Sequence, residues 1–267
     1  MAQEIESLYK WRASRFACKA ATMDAISTDR KLNFCDACAV RNRAICADLD
    51  DTEITALNMI GRRQILAAGD HLQWQGEEAV LVANIVEGVF KLSTGTSDGR
   101  EQIVGLVYPS DFMGRPFGKT AEYSIEALTD STICVFQRAD FEKFALEHPR
   151  LEHKLLERTL SELDRSRRWM LLLGRMNAEQ KLASFLLESA DRLAPSTCSF
   201  VPDGGPKGFT LPLTRQQVAD VLGLTMETVS RQFTKLRKQG LVEVHSRKDV
   251  IILDQDGLVE RAGNSHL

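Results

Sequence analysis

The sequence predicts an α+β protein in which a cysteine-rich segment and a β domain precede a long helix and a C-terminal helix-turn-helix. Three observations predict this order. Glycines recur at short intervals from Glu53 to Gln137, with β-branched and aromatic runs between them, which is typical of an all-β domain. After Pro149, apolar residues recur at alternating steps of four and three, as in a long amphipathic helix. Near the C-terminus, two short helical patterns meet at Gly223.

Length and composition exclude several classes of protein. The 267 residues suit two domains, and the 43% hydrophobic and 27% charged fractions are those of an ordinary globular chain. The first 21 residues lack the apolar core of a secretory signal, and no apolar run has the length of a membrane helix. We therefore expect a cytoplasmic protein without membrane contact. No nucleophile with its base, carboxylate pair or phosphate loop stands out, so an enzyme is not expected.

Three cysteines lie close together near the start of the chain, in the Cys-x2-Cys-x7-Cys array Cys35, Cys38 and Cys46. Thiolates this close repel one another unless a bound cation offsets their charge, so the array predicts a metal or redox site. A structural zinc site and a reversible thiol/disulfide switch are both compatible with the spacing. By spacing alone, Cys134 is a core cysteine among apolar neighbours, and Cys18 competes with it as a fourth ligand.

The β domain is expected to form a roll or a sandwich. Asn84–Ser93 and Glu101–Tyr108 flank the polar turn Thr96–Gly99, which predicts a hairpin with an exposed tip. Asp140 is expected to cap a short helix that runs through Glu147.

A much longer helix is predicted from Pro149 to about Arg175. Its heptad-like series fits a coiled-coil dimer seam better than a helix buried in its own domain, because a buried stripe tolerates a central arginine poorly. Arg167 is flanked by Arg165 and Arg168, so paired chains would bring like charges together and form a marginal dimer. The predicted seam consists of Leu156, Leu160, Leu163, Arg167 and Met170.

The C-terminal part of the chain has the pattern of a winged helix-turn-helix. A helix over Ala178–Leu193 precedes an irregular loop, Pro195–Gly208, that is rich in Pro, Gly and Ser. Two later segments, Leu241–His245 and Val250–Leu253, are alternating or apolar and are separated by a polar turn. These two segments predict a β-wing.

The helix-turn-helix itself is predicted from capping residues. Thr214 and Gln217 form a capping box for the first helix, and Gly223 supplies the turn. Thr225 caps a second helix that runs to about Gln239.

The second helix carries a set of side chains suited to reading DNA. Glu227, Ser230 and Arg231 lie at i, i+3 and i+4 near its N-terminus, where a recognition helix meets base edges. Arginine bonds bidentately to guanine, and glutamate accepts from the cytosine amine. Arg215 and Gln216, on the first helix, are weaker candidates for phosphate contacts. Between residues 207 and 248, eight basic side chains stand against three acidic ones, as phosphate attraction requires.

The motifs described above resemble those of a known family. Thr214–Leu253, with Glu-Thr-Val-Ser-Arg at 227–231, is similar to the Crp/FNR transcription regulators, and the resemblance covers nearly the whole chain after about Lys31. The cysteine array, Cys134 within Ser-Thr-Ile-Cys-Val-Phe, and Met170-Leu-Leu-Leu narrow the resemblance to the oxygen-sensing FNR branch. The cysteine spacing is similar to that of alphaproteobacterial FNR, FnrL and FnrN proteins. The resemblance implies an N-terminal β-roll, a long dimerisation helix and a C-terminal winged helix-turn-helix.

The resemblance also implies a cofactor and a function. Cys35, Cys38, Cys46 and Cys134 match the ligands of a 4Fe-4S cluster, with zinc as the alternative. In FNR-like proteins the intact cluster promotes dimerisation, and oxygen converts it to a form that favours monomers with poor DNA affinity. The implied function is an oxygen-responsive regulator, mainly an activator of anaerobic or microaerobic genes, that binds a TTGAT-like palindrome as a homodimer.

The implied partners are double-stranded DNA, a second copy of the chain and RNA polymerase. A cyclic nucleotide is not expected, since Phe112-Met-Gly-Arg-Pro-Phe-Gly and Glu122-Tyr-Ser lack the glutamate and the arginine of a phosphate cassette. The residues around His71 do not suggest a ligand site or notable partners, and His71 is expected to be a surface or turn residue, which disfavours a haem site.

Together these patterns divide the chain into six parts. They are an N-terminal extension (1–30), a cluster-binding cysteine segment (31–50), a β-roll (51–146), a dimerisation helix (147–176), a winged helix-turn-helix (177–255) and a C-terminal tail (256–267).

Overall fold

The computed structural model of the protein describes residues 34–95, 101–193, 207–246 and 248–263. None of the helices in these ranges combines the length and the apolar character that crossing a bilayer requires. The N-terminal extension and the tip of the predicted hairpin lie outside the described residues.

A helix that the sequence analysis missed, α1 (Asp51–Ile60), follows the cysteine segment. The side chain of Asp50 accepts hydrogen bonds from two backbone N–H groups of the first turn, and the Glu53 side chain accepts one from the backbone N–H of Asp50. Ile54 and Leu57 bury the inner face of the helix. The prediction that β structure begins at Glu53 is therefore wrong, because this reciprocal cap and the apolar spacing favour a helix.

Two four-stranded antiparallel sheets form the β domain and confirm its predicted class. The strand orders are β1-β8-β3-β6 and β2-β7-β4-β5. Apolar side chains of both sheets, among them Ile85, Phe90, Ile125 and Ile133, form the core between them. The strands are β1 (Gly61–Leu66), β2 (His71–Gln73), β3 (Leu81–Glu87), β4 (Phe90–Gly95), β5 (Glu101–Val107), β6 (Phe112–Gly114), β7 (Ser124–Ala127) and β8 (Ser131–Gln137).

The predicted strand Asn84–Ser93 is in fact two strands in different sheets. Gly88, with φ of 98°, turns the chain between β3 and β4. A Cβ atom at this position would lie 2.0 Å from Oγ of Ser131, so only glycine fits. The predicted hairpin pairing of β4 with β5 is confirmed, and its last register pair joins Gly95 to Glu101.

Two helices connect the roll to the C-terminal domain. The shorter one, α2 (Arg138–Glu147), begins after Gln137 without a side-chain cap, so the predicted cap by Asp140 is wrong. Asp140 lies inside the first turn instead, where its negative charge interacts favourably with the positive end of the helix dipole. The longer one, α3 (Pro149–Arg175), has the predicted bounds and carries its proline in the first turn.

The C-terminal domain has the predicted helix-turn-helix, including the Thr214–Gln217 capping box and Gly223 in the left-handed conformation. The domain also contains two elements that were not predicted. A strand at the end of the predicted irregular loop pairs with the wing, and a helix capped by Asp254 lies in the predicted tail. The elements are α4 (Ala178–Leu193), β9 (Lys207–Thr210), α5 (Arg215–Leu222), α6 (Met226–Lys238), β10 (Val242–Val244), β11 (Asp249–Ile252) and α7 (Gln255–Arg261).

The C-terminal domain packs against the roll rather than hanging from α3. Ile103 and Leu106 of β5 belong to the same apolar cluster as Leu172 of α3 and the core of the helix-turn-helix. Arg192 of α4 forms an ion pair with Asp111 of the roll. The far end of α3, the roll and the C-terminal domain therefore share one apolar core.

Candidate functional site

Three neighbouring cysteines and one that is distant in sequence converge on one region, called the cysteine pocket below: Cys35, Cys38, Cys46 and Cys134. The first three lie in the turns of residues 34–48, and Cys134 lies on β8. Cys46 is buried within an apolar cluster, and the other three pack against that cluster. None of these four cysteines forms a disulfide. The structure thus brings together the residues that the resemblance implied as ligands.

The walls of the cysteine pocket are apolar and come from several parts of the fold. Val40 and Ile45 come from the cysteine segment, and Phe136 comes from β8. Phe141 of α2 is fully buried among them. These apolar side chains surround the sulfur atoms on several sides.

Burial makes the thiolate form of these cysteines costly. It raises the pKa of Cys46 to about 11 and that of Cys134 to about 12, and the neighbouring cysteine sulfurs raise both further. The pKa of Cys35 is also raised, first by burial and then by Cys38, while Arg41 and Arg63 oppose the shift. The thiols of Cys35, Cys46 and Cys134 are therefore protonated near neutral pH unless a bound cation stabilises their thiolate forms.

One row of side chains crosses the sheet beneath the pocket. Arg63 of β1 pairs with Cys134 of β8, which pairs with Asn84 of β3, which pairs with Phe112 of β6. Paired residues of antiparallel strands point to the same face, so this row faces the cysteine segment. Nη2 of Arg63 donates a hydrogen bond of 3.0 Å to the carbonyl of Phe34 at the start of that segment. Sequence reasoning missed Arg63 and Asn84, because strand register brings them to the pocket.

The cysteine pocket packs directly on the start of α3. Leu151 and Leu155 of that helix belong to the same buried cluster as Cys46. Nζ of Lys154 lies 3.0 Å from Oδ2 of Asp48, two residues after Cys46. Packed side chains and an ion pair therefore join the cysteine segment to the first two turns of α3.

The donor set of the pocket suits a thiolate-ligated group. Within the described ranges, no three His, Cys, Asp or Glu side chains are gathered closely enough to hold a single metal ion. A zinc ion would require its thiolates at about 2.3 Å from one centre. Four soft sulfur donors among apolar side chains are a donor set used both by structural zinc sites and by iron-sulfur clusters.

The predicted dimer seam is a solvent-exposed face of α3. Leu160 is 53% exposed and Met170 is 72% exposed, although both are apolar. The opposite face is buried against the protomer through Leu151, Leu155 and Leu172. The seam residues Leu156, Leu160, Leu163, Arg167 and Met170 are all exposed, with Nη1 of Arg167 3.3 Å from Oδ1 of Asp164. The alternative of a seam buried in its own domain is wrong.

The predicted base-reading residues form one exposed stripe on α6. Glu227, Ser230 and Arg231 line an open groove on the protein surface, and Thr234 and Lys238 continue it along the same face. The opposite face is held in the core by Val229, Phe233 and Leu236. This arrangement leaves polar side chains free at the N-terminal half of the helix, as reading base edges in a major groove requires.

The two weaker candidates for phosphate contacts have partners inside the domain. The guanidinium of Arg215 lies over the ring of Phe233, with its carbon 3.4 Å from the ring centre, and burial lowers its pKa. Nε2 of Gln216 donates a hydrogen bond of 2.8 Å to Oδ1 of Asp220. The placement of Arg215 stabilises the packing of α5 on α6, and both phosphate contacts stay predictions.

His71 lies on a strand rather than in a turn, and the expectation that it lacks notable partners is wrong. It lies half-buried on β2, with its ring stacked on Trp74 at a centroid distance of 3.7 Å. Its Nε2 lies 3.4 Å from Oε2 of Glu126, which also binds Nζ of Lys91 at 2.8 Å. Strand pairing brings Glu126 to His71, whereas Trp74 lies only three residues further along the chain.

Comparisons with known proteins agree with this geometry. The family model of a Crp-like helix-turn-helix domain matches residues 180–261, and that of a cyclic nucleotide-binding domain matches residues 63–148. The transcriptional activator protein FnrL of Cereibacter sphaeroides is 42% identical over 233 residues, which cover 87% of this chain and 93% of the relative. The nitrogen fixation regulation protein FixK of Bradyrhizobium diazoefficiens is 37% identical over 212 residues, covering 79% and 87%.

Solved structures show the same architecture. That of FixK2 from Bradyrhizobium japonicum superposes with a TM-score of 0.68 at 29% identity and covers 75% of this chain and 96% of that one. A mutant of CooA from Carboxydothermus hydrogenoformans, with a TM-score of 0.62 and 21% identity, covers 78% and 90% and shares the fold. The family consists of transcription regulators and not of enzymes, as the sequence analysis expected. With relatives this similar over most of both chains, the protein belongs to the Crp/FNR family of transcription regulators.

Proposed function

We propose that this regulator senses oxygen through a 4Fe-4S cluster held by Cys35, Cys38, Cys46 and Cys134. In this proposal it binds a TTGAT-like palindrome as a homodimer and mainly activates anaerobic or microaerobic genes. The observation that carries the proposal is the convergence of the four cysteines on one apolar pocket. The activator role draws on relatives such as the FnrL protein, whose name states that role.

The chemistry of the pocket supports a bound cationic group. Burial raises the pKa of three of these thiols, those of Cys35, Cys46 and Cys134, so they are poor isolated nucleophiles at neutral pH. A 4Fe-4S cluster, when bound, supplies the positive iron centres that stabilise four thiolates and the redox chemistry that oxygen alters. Arg41 and Arg63 lie near enough to Cys35 to lower its pKa, so they also favour the thiolate form.

The packing of α3 supports a path from the pocket to DNA. Leu151 and Leu155 fix the start of the helix to the pocket, and the exposed seam from Leu156 to Met170 continues along another face. A change in the pocket that shifts α3 alters how two seams meet, and the central Arg167 keeps that association weak. Dimerisation then places two α6 helices for the two half-sites of a palindrome.

Several partners follow from the family and stay part of the proposal. RNA polymerase is the expected partner for activation, and the cytoplasm is the expected compartment. A cyclic nucleotide is not expected, although the roll matches a cyclic nucleotide-binding domain. Arg115, which follows β6, forms an ion pair with Glu122. Its charge is therefore already paired within the protein and is not left for the phosphate of a nucleotide.

The test is an absorption spectrum with iron, acid-labile sulfide and zinc analysis on protein purified without oxygen, followed by exposure to air. We expect a broad visible band that is lost in air, with about four iron and four sulfide per protomer. Cys134→Ser should lose the band and the iron, while Cys198→Ser, at a cysteine without an assigned role, should keep both. Zinc without colour would contradict the proposal in favour of a structural site. Colourless, metal-free protein would favour the thiol/disulfide switch.

A further inference from the structure

Asn84 is an unusual residue for the interior of a β-roll. It lies in the middle of β3 and is 4% exposed. In the part of the chain that the structure describes, Oδ1 of its side chain is buried and has no hydrogen-bond partner. A buried acceptor without a partner costs about 1–3 kcal/mol, so an apolar side chain here would make a more stable fold. The position therefore calls for a role other than folding.

Strand register places this side chain beside the fourth cysteine. Asn84 is the register partner of Cys134, and directly opposite residues have Cβ atoms about 5 Å apart. Val82 and Val86, two residues to either side of it, pack in the cluster of the cysteine pocket, whereas Ala83 and Ile85 face the core of the roll. Asn84 thus faces the pocket. Its register partner on the other side, Phe112, offers no polar side-chain atom, which leaves the sulfur of Cys134 as its polar cross-strand neighbour.

We propose that Asn84 is a positioning residue whose side-chain amide donates a hydrogen bond to the thiolate of Cys134 when the pocket is loaded. A half-turn about the terminal side-chain bond exchanges the amide nitrogen for the oxygen, so the same side chain presents a donor to a charged sulfur. A thiol offers Asn84 only a weak interaction, but a thiolate accepts a charge-assisted bond. The inference rests on the proposed function, because a bound group is what deprotonates Cys134.

Such a bond has two consequences for the pocket. It holds the ligand that comes from the roll in one orientation relative to the three from the cysteine segment. It also stabilises negative charge on the sulfur, and hydrogen bonds to ligand sulfurs are one of the factors that set the reduction potential of a cluster. Asn84 would therefore slow the loss of electrons from the loaded site to oxygen and set how much oxygen the regulator tolerates.

The test compares Asn84→Leu, which keeps the size but removes the donor, with Asn84→Thr, which restores an O–H donor on a strand-forming residue. Each protein is loaded without oxygen, and the loss of visible absorbance in air is timed. We expect Asn84→Leu to lose its absorbance roughly 10-fold faster than wild type, and Asn84→Thr to recover part of the difference. Resonance Raman bands of the iron–cysteine bonds should shift upward in Asn84→Leu, because a hydrogen bond to the sulfur weakens that bond.

A second measurement separates this role from a structural one. Metal-free Asn84→Leu should melt at the same temperature as metal-free wild type or higher, because it removes an unpaired buried acceptor. Decay and Raman bands unchanged from wild type, in an Asn84→Leu protein that holds its iron, would overturn this inference alone. A lower melting temperature of metal-free Asn84→Leu would also overturn it, since the side chain would then serve the fold. Wild-type protein without iron and sulfide would overturn the proposed function and the inference together.

Discussion

The cysteine pocket and the DNA-reading face of α6 are built in opposite ways. The pocket has apolar walls, and its cysteines come from two segments, with Cys134 far along the chain from Cys46. The face is exposed, polar and local, since Glu227, Ser230 and Arg231 come from two turns of one helix. A ligand bound among packed side chains affects the elements that pack around it. An exposed row of polar side chains instead contacts a partner, such as DNA, directly.

The long helix α3 is the element that touches both halves of the molecule. Leu155 near its start packs in the cluster of the cysteine pocket, and Leu172 near its end packs in the core of the DNA-binding domain. Between them, the exposed seam gives a second copy of the chain a surface to bind. We therefore expect substitutions in the dimer seam of α3 to affect DNA binding as strongly as substitutions in the DNA-reading face of α6.

The largest effect is expected from Leu160→Glu. A glutamate on each seam places two like charges at the centre of the proposed interface, so the protein should sediment as a monomer even when loaded without oxygen. A monomer binds one half-site and loses roughly 100-fold or more in affinity for a palindrome. Leu146→Glu is the matched control, because Leu146 is 66% exposed on α2 and lies off the seam. A loaded Leu160→Glu protein that remains dimeric would contradict the assignment of the seam.

Arg231→Ala should have the next largest effect, and this effect should be confined to the preference of the protein for one base over another in the DNA. Losing a bidentate contact to guanine costs about 1–3 kcal/mol, so discrimination at one position of each half-site should be lost. Thr234→Ala, one turn further along the same exposed face, is the control and should keep the wild-type preference. Binding to a set of single-base variants of the palindrome measures both, and an unchanged base preference in Arg231→Ala would refute the assignment.

Arg167→Leu should strengthen the seam that Leu160→Glu breaks. Arg167 is exposed and bonded to Asp164 of its own helix, so a leucine would add apolar contact and remove like-charge repulsion between copies. We expect the dissociation constant of the dimer to fall roughly tenfold, which leaves some DNA binding in air. Sedimentation of the air-exposed variant measures this effect. The prediction fails if that variant is monomeric.

The smallest effect is expected from Lys238→Ala at the end of the DNA-reading face. A lysine that contacts a phosphate adds about one to the slope of log affinity against log salt, and its loss weakens all sequences alike. Lys143→Ala, on the exposed side of α2, should leave the slope unchanged. Titration of a fixed DNA at several salt concentrations decides the matter, and equal slopes for the two variants would exclude the contact.

Local signals in the sequence were enough for the helix-turn-helix. Thr214, Gln217, Gly223 and Thr225 act within one or two helical turns of their own positions, and each has its predicted role. Pro149 likewise marks the first turn of α3. The roles of capping and turn residues depend on their neighbours in sequence, so these residues can be identified without a structure.

Features that depend on distant pairing were missed or misplaced. The strand β9 is fixed by its pairing with β11, and the positions of Asn84 and Arg63 at the cysteine pocket follow from the register of β3 and β1 with β8. The predicted strand Asn84–Ser93 was not divided at Gly88, because periodicity does not show that a chain leaves one sheet for another. The helix α1 was missed although its capping box was present in the sequence.

DNA affinity and oligomeric state should be measured on one loaded preparation, before and after exposure to air. Before exposure we expect a dimer that binds a TTGAT-like palindrome specifically. After exposure we expect a monomer whose affinity has fallen roughly 1,000-fold, to the level of nonspecific binding. Cys134→Ser should behave as the exposed protein does from the start. Equal affinity and equal mass before and after exposure would contradict the claim that the cysteine pocket controls DNA binding through α3.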